Sequence, residues 1–407
     1  MTKSWTRQRY ARMERGRQVV ESANSFDKMV CADRQKRMRN DPKICSVVWN
    51  LIRGGTEGQC ARVAMGLAEA GVPHRVAVFR REGFFLDAVE SACGPVYPFS
   101  IERFRGKETR ATIAAFAAWL RSEKMDGVHT WDMDANLFAS QAARQAGIPY
   151  ITSRRDMGEI YPWYKLWLQR RAERGAQRVV VNAQAIGAWA ATDRVPISKI
   201  CPLPNIVPLA ELEAGRSAAG ETIPRCGEVQ WIHVARLDPE KDVELLIRAV
   251  ARLREAGHEA GLWIVGDGGE RPALEALVQE LQVGTSVQFL GGRDDVPQLL
   301  AQADAGVLVP RANEGQSNTV LAYMALGLPV VVSDCGGNRE LVEGSDCGVV
   351  VPVGDVKALA ETMRDVGEWD EERRHTTGAR GRERVVSTHV ADQVLPRFRS
   401  LYSEVFS

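Results

Sequence analysis

From about residue 43 onward, short β-rich apolar runs alternate with segments whose apolar residues recur every three or four positions. Few folds accept that pattern. Residues 44–49 (ICSVVW) read as a buried strand, followed by a glycine turn and a helix near 59–70. Residues 75–79, 127–130, 149–153 and 178–181 read as further strands, with helical patterns between several of them. A second series repeats the scheme, with strands at 229–234, 261–265, 287–290, 306–309 and 329–333. Within it, 242–256 predicts a helix with Val243, Leu246, Ile247, Val250 and Leu253 on one face and Gly257 as its stop. Leu274, Leu277, Val278 and Leu281 mark the next helix. Strands separated by helices build βαβ units around a mainly parallel sheet. The expected class is α/β, with two successive open domains and ligands at the carboxyl ends of the strands, in a cleft between the domains.

Composition narrows what such a chain does. Its 407 residues are enough for two or three domains, and 45% hydrophobic content rules out wholesale disorder. No apolar run reaches the ~18 residues a membrane span needs. A net charge of +1 argues against a protein that lives on nucleic acid. That total hides a division: residues 1–42 carry eleven Lys and Arg against five Asp and Glu, leaving the remainder five charges negative. This basic extension has no apolar core of the kind a secretion signal needs. It reads either as a solvated, partly helical arm or as a patch drawn to anionic lipid headgroups. Residues 43–208 are expected to form the first domain, 209–228 a Gly-, Ala- and acid-rich linker and 229–388 the second domain. The final segment, 389–407, is expected to be a helix packing back on the first domain. Eight cysteines form no C-x-x-C pair, so neither a zinc site nor a disulfide framework is expected, and a reducing cytoplasm fits.

The richest chemistry lies in the second half. VARLDPEKD sets Arg236 and Lys241 after a strand and before a helix, where two cations suit a diphosphate; the plainer reading is two solvated surface charges. In EGQSNTVLAYMALGLPVV, Glu314 follows a strand, and Ser317 or Asn318 caps a helix whose first amides form an anion site. VGDGG places Gly266 after a strand, but Arg271 stands where a dinucleotide fingerprint needs its third glycine.

With VARLDPEKD, VGDGGE, FLGGRDDVPQLLAQAD, PRANEGQSNTVLAYMALGLPVVVSDCGGNRELV and GVVVPVGDVKALA in order over 229–360, the second half resembles the donor domain of GT-B glycosyltransferases. The resemblance is to the retaining family four, glycosyl transferases group one. It implies two Rossmann-like domains facing across a cleft, closing over a nucleotide sugar. It implies Arg236 and Lys241 on the donor diphosphate and Glu314 on the sugar hydroxyls. Gly315, Asn318, Thr319 and Val320 would form the helix start at the phosphates, with Gly266 and Arg293 completing the donor set. One departure stands out: the family's second motif Glu, which typically holds the donor ribose, falls on Ala322.

The first half resembles the acceptor domain more loosely. Gly54 and Gly55 turn after the first strand, in the loop that the resemblance sets at the donor phosphates. Where many relatives have a His, this chain has Arg154, Arg155 and Asp156, either phosphate or acceptor contacts or an ion-paired loop. His129 and Asp132 are weaker candidates of the same kind. Tyr161, Trp163, Tyr164 and Trp167 stand among Lys165, Arg170, Arg171 and Arg174, which suits a lipid-interface helix or ordinary packing with a basic face. The reading is a retaining glycosyltransferase with a carbohydrate or lipid-linked acceptor, no nucleic-acid partner and no metal or other cofactor. It is expected in the cytoplasm, peripherally at the inner membrane face, in polysaccharide or glycolipid assembly. The alternative, prompted by Ala322, is a non-catalytic sugar-nucleotide-binding subunit.

Overall fold

The computed structural model describes residues 41–218 and 220–407, so the basic extension lies almost wholly outside the described residues. The chain forms two compact units, residues 41–206 with Ala391–Ser407, and Val207–Val390. The first holds β1 (Ile44–Val48), β2 (His74–Val78), β3 (Tyr97–Pro98), β4 (Gly127–Thr130), β5 (Tyr150–Arg154), β6 (Val179–Val181) and β7 (Ile200–Pro202). The second holds β8 (Val229–Val234), β9 (Ala260–Val265), β10 (Val287–Gly291), β11 (Ala305–Leu308), β12 (Val330–Ser333) and β13 (Gly348–Val351).

Every strand pair is parallel. The first sheet runs β3-β2-β1-β4-β5-β6-β7 and the second β10-β9-β8-β11-β12-β13. In each, strand order reverses direction once, between β1 and β4 and between β8 and β11. At such a switch point the loops leaving the two strands diverge and open a crevice at the carboxyl edge.

Local chemistry fixes the elements. β1 is buried along its whole length, as a strand covered by helices on both faces must be. Asp132 accepts the Ala135 N–H at the start of helix Met133–Ala146, and Gly147 ends that helix at φ 75°. The stripe Leu246, Ile247, Val250 and Leu253 on helix Val243–Glu255 is buried, each side chain contributing about 1.5–3 kcal/mol. In the first unit, helix Ala391–Phe406 packs Val394, Phe398, Leu401 and Tyr402 into the core around Val48, Leu67 and Trp131.

Three strands escaped the sequence reading. β3 and β7 have two and three residues, too few to display a period, and β13 is a short run headed by glycine. The stretch 209–228, expected to be a linker, instead opens with helix Leu209–Ser217 packed within the second unit. Leu209 and Leu212 face the core that contains Ile223, and Glu213 pairs with Arg382 at 2.5 Å. Three apolar anchors among many small residues decide its packing, and an average composition hides them.

Candidate active site

The switch point of the second sheet gathers the charged residues of the second half. The loop after β8 carries Arg236 and Lys241, and the loop after β11 carries Glu314. Their backbones are joined where the Arg311 N–H donates to the Glu240 carbonyl at 2.9 Å. Lys241 Nζ donates to Glu314 Oε2 at 2.7 Å, with the two side chains 19% and 11% exposed. Arg236 projects outward at 75% exposure, held by Asp238 at 2.8 Å and, more loosely, by Glu240 at 3.6 Å. Directly after Glu314, Ser317 caps helix Asn318–Ala325. The Val320 N–H donates to Ser317 Oγ at 3.3 Å, so of the expected phosphate amides Val320 is already satisfied by the cap. Buried Tyr323 ties this helix to the sheet, its hydroxyl accepting the Val234 N–H at 2.8 Å.

Glycine is required where the loops touch. Gly266, after β9, sits at φ 129°, and a Cβ there would stand 1.9 Å from the Ala235 carbonyl oxygen. Gly336, after β12, sits at φ 58°, with a Cβ only 2.1 Å from the Glu314 carbonyl oxygen. Beside it, the Gly337 N–H donates to the Gly315 carbonyl at 2.8 Å. Backbone therefore packs on backbone beneath Glu314, which fixes its height above the sheet. Arg293 stands apart. It follows β10, two strands from the switch point, and binds Asp295 at 2.8 and 2.7 Å and Glu221 at 3.0 Å. Those hydrogen bonds, Asp295 first, hold its guanidinium above the usual range. The expected donor contact at Arg293 is not gathered with the others, because the loop after β10 lies two strands away from the β8/β11 switch point.

The first unit's candidates separate sharply. His129 is fully buried between the Tyr402 hydroxyl and Ser153 Oγ, each at 2.8 Å, and burial holds it neutral, far below its usual range. Arg154 is 4% exposed and forks onto both oxygens of buried Glu173. Both point from the sheet into the core of the first unit, where fixed partners meet them, which for Arg154 favours the ion-paired alternative over a phosphate or acceptor contact. Asp132 accepts the N–H groups of Trp49 at 2.6 Å and Ala135 at 2.8 Å, and burial pushes its carboxyl up to about 7. It thereby links the loops after β1 and β4 at the switch point. At Gly54, a Cβ would stand 2.1 Å from the Glu57 carboxylate, which folds back over the start of helix Gly55–Glu69. Arg155 keeps partial solvent access at the end of β5.

Residues 228–368 match the family model for glycosyl transferases group 1, and residues 53–211 the model for glycosyltransferase family 4. The chain belongs to that glycosyltransferase family. It is 30% identical to N-acetyl-alpha-D-glucosaminyl L-malate synthase of Bacillus anthracis over 174 residues, which is 43% of this chain and 45% of that protein. It is also 30% identical to a lipopolysaccharide core biosynthesis glycosyltransferase of Rhizobium meliloti over 168 residues, 41% and 48% of the two chains. The chain thus spans about half the length of the curated relatives it matches. The fold is similar to that of HepE of Anabaena, solved in complex with UDP-glucose. The TM-score is 0.76 at 21% identity over 89% of this chain and 100% of that one. Two Rossmann-like parallel sheets are the GT-B architecture.

In this family member, Ala322 lies in the second turn of helix Asn318–Ala325, half-buried against the core that holds Tyr323 and Met324. The methyl there offers no acceptor. Tyr323 and Gly336 support the candidate site without a sequence signal of their own. The first reads as one more apolar residue on a helix, and the second is half of a glycine pair whose role appears only once β12 lies beside β11.

Proposed function

We propose that the protein transfers a sugar from a nucleotide-sugar donor to an acceptor hydroxyl, retaining the anomeric configuration, in polysaccharide or glycolipid assembly. The observation that carries this reading is the Lys241–Glu314 pair at the β8/β11 switch point, beside the capped start of helix Asn318–Ala325. Departure of a nucleoside diphosphate builds negative charge on the leaving phosphate. Arg236, Lys241 and the first amides of that helix would meet that charge, while Glu314 would hold the sugar hydroxyls. Gly54, Gly55, Gly266, Gly315, Asn318 and Thr319 remain the proposed donor-lining backbone.

UDP-glucose is the first donor to try and UDP the first leaving-group ligand, since structures of HepE of Anabaena hold them. At about 100 times its dissociation constant, a ligand adds about 2.7 kcal/mol of stability, a clear thermal shift. The expected result is a shift with one nucleotide sugar, with turnover, both lost in Arg236→Ala and Lys241→Ala. Absence of both hydrolysis and transfer over a broad acceptor panel, with donor binding intact, would support the second reading, a non-catalytic binding subunit. Ala322 is the residue that favours that reading.

We further propose a peripheral position at the cytoplasmic membrane face. No helix among the described residues is long and apolar enough to cross a membrane. Helix Trp163–Gly175 instead exposes Trp163 at 79% and Trp167 at 51%, with Arg171 and Arg174 also exposed. Aromatic and basic groups side by side suit an anionic lipid interface. Co-sedimentation with anionic but not neutral vesicles, reduced in Trp163→Ala/Trp167→Ala, is expected; equal binding by both proteins would remove this helix from the proposal.

A further inference from the structure

Two arginines stand side by side at the carboxyl end of β5, and the fold treats them oppositely. Arg154 is matched by two acids, Glu173 at 2.8 and 2.7 Å and Asp193 at 2.8 Å. Arg155 has no carboxylate within ion-pair distance among the described residues. Its Nη2 donates to the neutral Asn205 amide oxygen, and its Cζ lies 5.1 Å from the centre of the Trp131 ring. Its Nη1 is buried with no hydrogen-bond partner among the described residues.

Such an arrangement is costly. A cation withdrawn from water loses several kcal/mol of hydration unless an opposite charge meets it. A neutral amide and an aromatic face offset only part of that. Burial accordingly pushes the Arg155 guanidinium down to about 10, which still leaves it charged at neutral pH. A buried donor left unsatisfied needs a reason. Position supplies one. Arg155 follows β5, Trp131 follows β4 and Asn205 lies three residues past β7, so all three sit at the carboxyl edge of the first sheet. Asn182 continues β6 beyond Val181, the residue paired with Arg154, and its buried amide oxygen also has no partner among the described residues. One edge therefore presents an unmatched cationic donor and an unmatched acceptor, where parallel sheets take their ligands.

We propose that Arg155 is the recognition cation of a ligand site within the first unit, and that its occupant carries a carboxylate or a phosphate. The planar guanidinium suits either group, since each offers two adjacent oxygens to its fork of N–H donors. Asn182 Oδ1 would take a hydroxyl of the same occupant. The proposal rests on the transferase reading only for the occupant's purpose: an acidic or phosphorylated acceptor, or the donor's own phosphates. Binding of the anion does not depend on that reading.

The test uses the full chain and thermal shift with inorganic phosphate, glucuronate, neutral glucose at matched ionic strength, and UDP. Phosphate has a second site at Arg236 and Lys241 in this reading, so the deciding anion is glucuronate, which should stabilise the wild type and Lys241→Ala alike, while glucose should not. In Arg155→Gln that stabilisation should vanish, with affinity down about tenfold or more, as expected for losing a charged hydrogen bond. Arg155→Lys, which keeps the charge but not the fork, should fall between. Without anions, Arg155→Gln should melt no lower than wild type, since it removes an unmatched charge. If the UDP shift survives in Arg155→Gln, the anion belongs to the acceptor; if it disappears in both Arg155→Gln and Lys241→Ala, the anion is the donor's. The proposal falls if no anion stabilises the wild type, if Arg155→Gln responds like wild type, or if Arg155→Gln without anions melts as low as a variant of Arg154.

Discussion

Glu314→Gln should separate donor affinity from turnover. Lys241 Nζ stands 2.7 Å from Glu314 Oε2, and neither side chain is more than a fifth exposed. At an effective dielectric of about 20, the direct attraction at that distance is about 6 kcal/mol. Lost hydration and side-chain freedom offset most of it, leaving a coupling of about 1–3 kcal/mol. A double-mutant cycle by urea denaturation of Lys241→Ala, Glu314→Gln and the double variant measures that coupling. For ligands the consequence is asymmetric. UDP has no hexose for Glu314 to hold, yet it competes with Glu314 for Lys241. Glu314→Gln releases the lysine, so calorimetry should give unchanged or tighter UDP binding, while kcat for transfer falls by about 100-fold or more as an orienting contact is lost. Lys241→Ala should instead weaken UDP by about tenfold or more. The reasoning is refuted if Glu314→Gln loses UDP affinity and turnover by the same factor, or if the coupling is zero.

Arg154→Met strands buried Glu173 and Asp193, so it should lower unfolding free energy by about 3–5 kcal/mol in urea; a loss under about 1 kcal/mol would contradict the buried network. Burial raises the Asp132 carboxyl to about 7 in the folded state, so there it holds a proton that the unfolded chain releases near pH 4. Its contribution to stability is therefore lost as pH rises from about 4 to 7, by at most about 1.4 kcal/mol per pH unit. Asp132→Asn should flatten that decline relative to wild type in denaturation at pH 5 and pH 8. Buried His74, lowered to about 3, and His233, lowered to about 4, act in the opposite sense, with stability rising up to the unfolded histidine value near 6.5. Gly336→Ala forces a side chain against the Glu314 carbonyl oxygen and should lower kcat more than UDP affinity. Because protein cations meet the leaving phosphate in this reading, transfer should persist in EDTA, and abolition by chelator would refute it.

What sequence alone determined here is whatever repeats or contrasts locally. Continuous apolar runs such as 261–265 and 330–332 announce buried parallel strands, because a strand covered on both faces has no polar side to show. Arg236, Lys241 and Glu314 were readable because strand ends precede them, and ligands collect at strand ends. Strand order, however, is a long-range fact. Only the placement of β11 beside β8 brings Glu314 to Lys241, and only β12 beside β11 makes Gly336 a support for Glu314. The same limit governs the two adjacent arginines. Arg154 and Arg155 are chemically identical neighbours, and nothing local tells them apart. One turns toward Glu173 and Asp193 in its own core, while the other rests on Trp131 with an unmatched N–H. Which partners a side chain meets is settled by distant segments, so the role of a charge belongs to the tertiary structure even where its identity is plain in the sequence.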